Sequence, residues 1–99
     1  MILEQAILAV KPGQTPAFEK AMRRTLPLIA ATPGFHGIEV RLCLEESSKY
    51  LLLVRWETLE ARMEGFRGSS RNQEWRRVLR HFYDSVPEVL HFGPPVSAA

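Results

Sequence analysis

The chain of 99 residues has a single cysteine, Cys43, so no disulfide can close within it and a thiolate metal cage is ruled out. Its three histidines, His36, His81 and His91, show no helical ligand spacing and no His-Glu-x-x-His arrangement, so no metal site is expected. Charge of one sign is also scarce. Thirteen Lys and Arg stand against eleven Asp and Glu, and a net charge of +2 gives no case for a nucleic acid or an anionic membrane as partner. No uncharged apolar run approaches the roughly 20 residues that span a bilayer. "MILEQAILAV" interrupts its apolar run with Glu4 and has no basic leader, so it does not read as a signal peptide. There is no internal repeat and no low-complexity segment. What remains is one soluble, cytoplasmic domain, with 45% hydrophobic and 24% charged residues, close to the globular average.

What is present has clear periodicity. Residues 2 to 10 are apolar and partly alternating, bounded by the turn "KPGQT", and read as a strand. Thr15-Pro16 opens a helix, because Pro at the first helical position forfeits no hydrogen bond. Phe18, Met22, Leu26 and Ile29 form its apolar stripe, and Pro27 within it predicts a kink. "TPGFHG" closes the helix. Two strands follow around "EESSK". In the first, Ile38, Val40, Leu42 and Leu44 share a face; in the second, Tyr50, Leu52, Val54 and Trp56 do, with Leu51, Leu53 and Arg55 opposite. Thr58 caps a short helix ending near Gly68, and Ser70 with Gln73 fits a capping box. Trp75, Val78, Leu79 and Phe82 then mark a second amphipathic helix, "EVLHF" a last strand, and residues 94 to 99 a frayed tail beyond a domain spanning 1 to 93.

This β-α-β-β-α-β order is the ferredoxin-like split pattern, an α+β fold with an antiparallel sheet and helices on one face. The strand phases chosen here put Ile2, Leu8 and Val10 with Leu51 and Leu53 on the face without helices. An apolar face of that size predicts a homodimer joined sheet to sheet. The same phase turns Gln5, with Leu3 and Ile7, toward the helices.

The stretches "MILEQAILAVKPGQTPAFEKAM", "ATPGFHGIEVRLCLEESSKYLLLVRWET" and "EWRRVLRHFYDSVPEVLHF" resemble the antibiotic biosynthesis monooxygenase domain, of the dimeric α/β-barrel superfamily. The most specific piece is the helix end "TPGF" followed by two strands that finish on Trp-Glu. The resemblance implies cofactor-independent oxygenation of a small planar aromatic, a hydroquinone or polyketide-derived phenol. Cofactor-free members carry Asn four positions before the strand-end Trp and Tyr six after it; here Trp56 matches, and Leu52 and Arg62 hold the other two places. Haem-degrading members use an Asn, a Trp and an iron-ligating His where this chain has Gln5, Gly65 and Trp75, which argues against haem degradation.

On this reading Trp56 is the pocket wall, Gln5 its hydrogen-bonding group, Phe66 a lid and His36 the base, with His91 as the other histidine able to line a cavity. Trp56 also has a plainer reading, as a core aromatic whose indole N–H finds an acceptor. Trp75 and Phe82 read as core, and Cys43 as a packed or interfacial thiol. Arg71, Arg76, Arg77 and Arg80 read as a solvated face pairing with Glu60, Glu64 or Glu74, since the strands lack the mid-strand aromatics of an RNA-binding sheet. The competing function is a non-catalytic dimeric module for a small hydrophobic ligand. A fold-only interaction protein would have no cavity near Trp56.

Overall fold

The computed structural model describes residues 1–99. The elements are β1 (Ile2–Ala9), α1 (Thr15–Ala30), β2 (Phe35–Leu42), β3 (Lys49–Trp56), a π-type turn (Ala61–Phe66), α2 (Ser70–Leu79) and β4 (Val89–Phe92). The sheet is antiparallel in the order β2-β3-β1-β4, as the split pattern requires, and it does not close on itself. Both helices lie on one face, over the core.

The phase of β3 is as its alternation indicates: Tyr50, Leu52, Val54 and Trp56 are buried. Register then fixes β1. Leu8 stands opposite Tyr50, Ala6 opposite Leu52 and Glu4 opposite Val54, so Glu4, Ala6, Leu8 and Val10 face the helices and are buried. This reverses the expected phase of β1. Leu8 and Val10 belong to the core and Ile2 packs against it, while Gln5 lies with Leu3 and Ile7 on the helix-free face, beside Leu53 and Leu90. The reason is local: β1 alternates two polar residues, Glu4 and Gln5, so either phase places one of them under the helices. That face still carries apolar side chains, among them Ile7, Leu90 and Phe92.

α1 begins at Thr15 with Pro16 in its first turn and continues through Pro27 to Ala30. Thr25 is buried in its stripe, because its hydroxyl donates back to Ala21 O at 3.1 Å and Met22 O at 3.0 Å. Phe18 packs on Tyr50 with ring centroids 4.8 Å apart, and the Tyr50 hydroxyl donates to Glu19 Oε2 at 2.6 Å. Burial and the Glu19 carboxylate push the Tyr50 phenol up to about 12, so it remains a donor at any ordinary pH.

Two boundaries differ from the sequence reading. β2 starts at Phe35 and ends at Leu42, so Leu44 lies beyond it and is exposed. Its register against β3 slips between Phe35 and Gly37, which leaves His36 as the bulged residue. The cap of α2 is Ser69, whose hydroxyl accepts from Asn72 N at 3.3 Å, one residue before the anticipated capping box. Thr58 acts as expected, its Oγ1 accepting from Ala61 N at 3.1 Å.

Candidate functional site

The helix-facing sides of β1 and β4, the π-type turn, α2 and the segment Tyr83–Pro87 enclose a cleft of about 720 Å³. Its apolar walls include Ala6, Leu52, Phe66 and Trp75, and its polar groups include Glu4, Arg62 and His91. The volume is in the range of small-molecule sites, and the lining follows the usual pattern of apolar surface with a few polar groups. Burial raises the Tyr83 phenol well above its ordinary value, so this lining residue offers a neutral O–H. No three His, Cys, Asp or Glu side chains converge as a metal cage would need.

Glu4 organises the inner end. The residue is 4% exposed, and its Oε1 accepts from Trp56 Nε1 at 2.8 Å and from Arg62 Nε at 2.7 Å. A buried indole N–H needs an acceptor and a buried carboxylate needs a cation, so the three side chains satisfy one another. Oε2 has no protein partner, and Arg62 Nη1 is enclosed without one. His91 stands directly across from Glu4 on β4, on the same face, and its Nε2 is likewise enclosed and without a partner. The sheet positions Glu4 and His91. The π-type turn, whose wider spacing shows in the Arg67 N–H donating to Arg62 O at 3.0 Å, brings Arg62 and Phe66 over them.

Comparison with known proteins shows the family. The family model described as "Antibiotic biosynthesis monooxygenase" matches residues 1–78. The chain belongs to this family. It is 48% identical over 92 residues to the Bacillus subtilis (strain 168) protein YczJ, itself uncharacterised, covering 93% of this chain and 97% of that one. A crystal structure from Bordetella bronchiseptica, assigned to the same family, superposes with a TM-score of 0.89 at 33% identity, covering 96% of this chain and 97% of that one. SnoaB, a cofactor-independent oxygenase from Streptomyces nogalater, shares the fold with a TM-score of 0.83 at 17% identity, covering 97% of this chain and 94% of its own.

Of the residues that the family resemblance singled out, the structure brings Leu52, Arg62 and Phe66 to the cleft. Trp56 stands behind it: the residue is 0% exposed and backs the site through Glu4 and through Phe66, whose ring centroid lies 6.3 Å from its own. The wall aromatic is Trp75, half-buried, with its ring centroid 5.9 Å from that of Phe66. Gln5 is on the other face of the sheet, for the phase reason given above, and His36 is exposed on its bulge, outside the lining. The residues that sequence reasoning missed are Glu4 and the wall role of Trp75. A charge inside an apolar strand, with an indole and an arginine ahead in sequence to satisfy it, was the available signal for Glu4. The arginines of α2 also divide differently. Only Arg77 pairs with Glu74; Arg76 lines the cleft together with Arg80 just past α2, and Arg71 Nη2 donates to Thr32 Oγ1 at 3.2 Å and Gly65 O at 3.3 Å.

Proposed function

We propose that this family member oxygenates a small electron-rich aromatic, a hydroquinone or polyketide-derived phenol, with molecular oxygen and without a bound cofactor. The observation that carries the reading is the cleft itself: apolar walls around His91 Nε2, an enclosed nitrogen with nothing in the protein to bond. The chemistry asks little else of the protein. His91 takes the phenolic proton, and the phenolate passes one electron to oxygen. The radical pair joins at a ring carbon that bears hydrogen, ortho or para to the phenolic oxygen. The proton on His91 returns to the peroxide, and loss of water, taking the ring hydrogen, leaves the quinone carbonyl there. One oxygen atom enters the product and the other leaves as water, with all four electrons drawn from the substrate. Arg62 Nη1 faces the negative charge that forms on the phenolate, and Phe66 and Leu52 keep water from it. Trp56 is a positioning residue, acting through Glu4. SnoaB, described as a cofactor-independent oxygenase, supports the class of reaction.

Oxygen uptake with anthrones and hydroquinones tests this directly. Chelator-treated protein is expected to consume oxygen above a heat-killed control, and His91→Gln to lower kcat by about a hundredfold, the usual scale of a general base. Uptake indifferent to His91→Gln would remove the base. No uptake across the panel, with binding retained, would leave the non-catalytic ligand module, which the presence of Leu52 and Arg62 at the family's Asn and Tyr positions favours.

The reading carries a homodimer and a cytoplasmic location. No helix is long and apolar enough to cross a membrane. Leu3, Ile7, Leu51, Leu53, Leu90 and Phe92 share the helix-free face, and a second copy laid on it would cover them. Light scattering is expected to give twice the chain mass; a species of 11.3 kDa would overturn the interface.

A further inference from the structure

The cleft is more basic than its chemistry requires. Four arginines line it, Arg62, Arg67, Arg76 and Arg80, against two carboxylates, Glu4 and Asp84. Only Arg62 is ion-paired; Arg67, Arg76 and Arg80 have no carboxylate in range. Their neighbour Arg77 shows that an acid was available on this surface, since its Nε and Nη2 hold Glu74 at 2.7 Å and 2.6 Å. Glu74 went to an arginine outside the lining, and its neighbours Arg76 and Arg80 on the cleft were left open. Arg76 and Arg80 are also four residues apart, one turn along the same side, where like charges repel by a few tenths of a kcal/mol. The carbonyl end of α2 favours cations in general. It does not account for two of them facing one cleft without a counter-charge.

The geometry points to a substrate that is an aromatic acid, its ring lying against Trp75 and Phe66 and its carboxylate held by Arg76 and Arg80. The inference rests on the aromatic reading of the cleft and adds the anionic group. Guanidinium pairs bind carboxylates through parallel N–H donors, so they fix the ring's orientation as well as its affinity. The ring's phenolic end is then left for His91 and Arg62 Nη1.

Calorimetry with 6-hydroxy-2-naphthoate, whose carboxylate and hydroxyl stand at opposite ends of the ring system, and the neutral 2-naphthol tests it without turnover. The acid is expected to bind about tenfold tighter at low salt, with the gap closing as ionic strength rises. Arg76→Gln/Arg80→Gln, both exposed sites, is expected to bring the two ligands within about threefold of each other while leaving 2-naphthol within about twofold of its original affinity. Arg77→Gln removes the same charge from outside the cleft and is expected to preserve the gap. Equal binding of the two ligands by the unaltered protein, or a gap that survives the double substitution, overturns the inference and leaves the aromatic site standing. If neither ligand binds, the aromatic reading falls and the acid with it.

Discussion

Replacing Glu4 with alanine is expected to destabilise the fold by about 3–5 kcal/mol, the scale of breaking one side of a buried ion pair. The number is large because one carboxylate oxygen serves two donors. Trp56 Nε1 is fully enclosed, and without Glu4 it keeps a desolvated N–H with no acceptor, alone worth about 1–3 kcal/mol. Arg62, 12% exposed along its side chain, would hold an uncompensated charge under Phe66. Glu4→Gln separates the two effects. It retains a carbonyl oxygen for the indole but loses the charge, so its loss should fall between the alanine variant and the original. Glu4→Leu with Arg62→Leu removes both charges and should recover the part of the loss due to the unpaired arginine, since a buried pair is often no better than apolar side chains of similar size, while the indole N–H stays without its acceptor. Urea midpoints of the four proteins measure this. A Glu4→Ala variant within about 1 kcal/mol of the original would mean that water already solvates the pair and that the cleft is wetter than its walls suggest.

How far the site could be read from sequence turns on the same residue. The alternation of β3 needed no structure, because a strand with Tyr50, Leu52, Val54 and Trp56 on one parity buries that parity under any packing of the helices. Helix stripes and turn residues gave the order of elements for similar reasons: each is decided within a few residues of itself. β1 was different. Glu4 and Gln5 are adjacent, so the pattern was consistent with either face, and the choice depended on partners 52 and 58 residues away in the chain. Sequence spacing carries no signal for such a contact. Trp56 was legible as important but not as what it is, since wall and buried support differ only in what stands in front of the ring. His36 and His91 could not be told apart until the bulge put one outside and the pairing with Glu4 put the other within. The family's "TPGF" and Trp-Glu pattern was informative without being explained; the backbone supplies the explanation.

Gly34→Ala is expected to cost about 2–5 kcal/mol, from two sources that can be measured apart. The residue adopts φ +88°, where a Cβ brings roughly 1–2 kcal/mol of strain. A Cβ there would also stand 2.7 Å from Ala61 Cβ, a distance real side chains do not reach, so one backbone must shift for about 1–3 kcal/mol more. Gly13 has a similar φ of +79° with nothing near its missing Cβ, so Gly13→Ala reports the strain alone. Ala61→Gly in the Gly34→Ala background removes the clash and keeps the strain, and should restore the larger part of the difference between the two. The consequence extends to the cleft. Gly34 O accepts from Glu57 N at 2.8 Å directly after Trp56, and Ala61 begins the turn that carries Arg62 and Phe66. The glycine therefore sets how closely the "TPGF" loop approaches the π-type turn, and through it the 2.7 Å contact between Arg62 and Glu4. A shift of Ala61 is expected to lower affinity for 6-hydroxy-2-naphthoate in Gly34→Ala even at temperatures where the variant is fully folded, with Gly13→Ala unchanged. If Gly34→Ala loses stability yet binds normally, the turn moves as a unit with Glu4, and the glycine serves the fold alone.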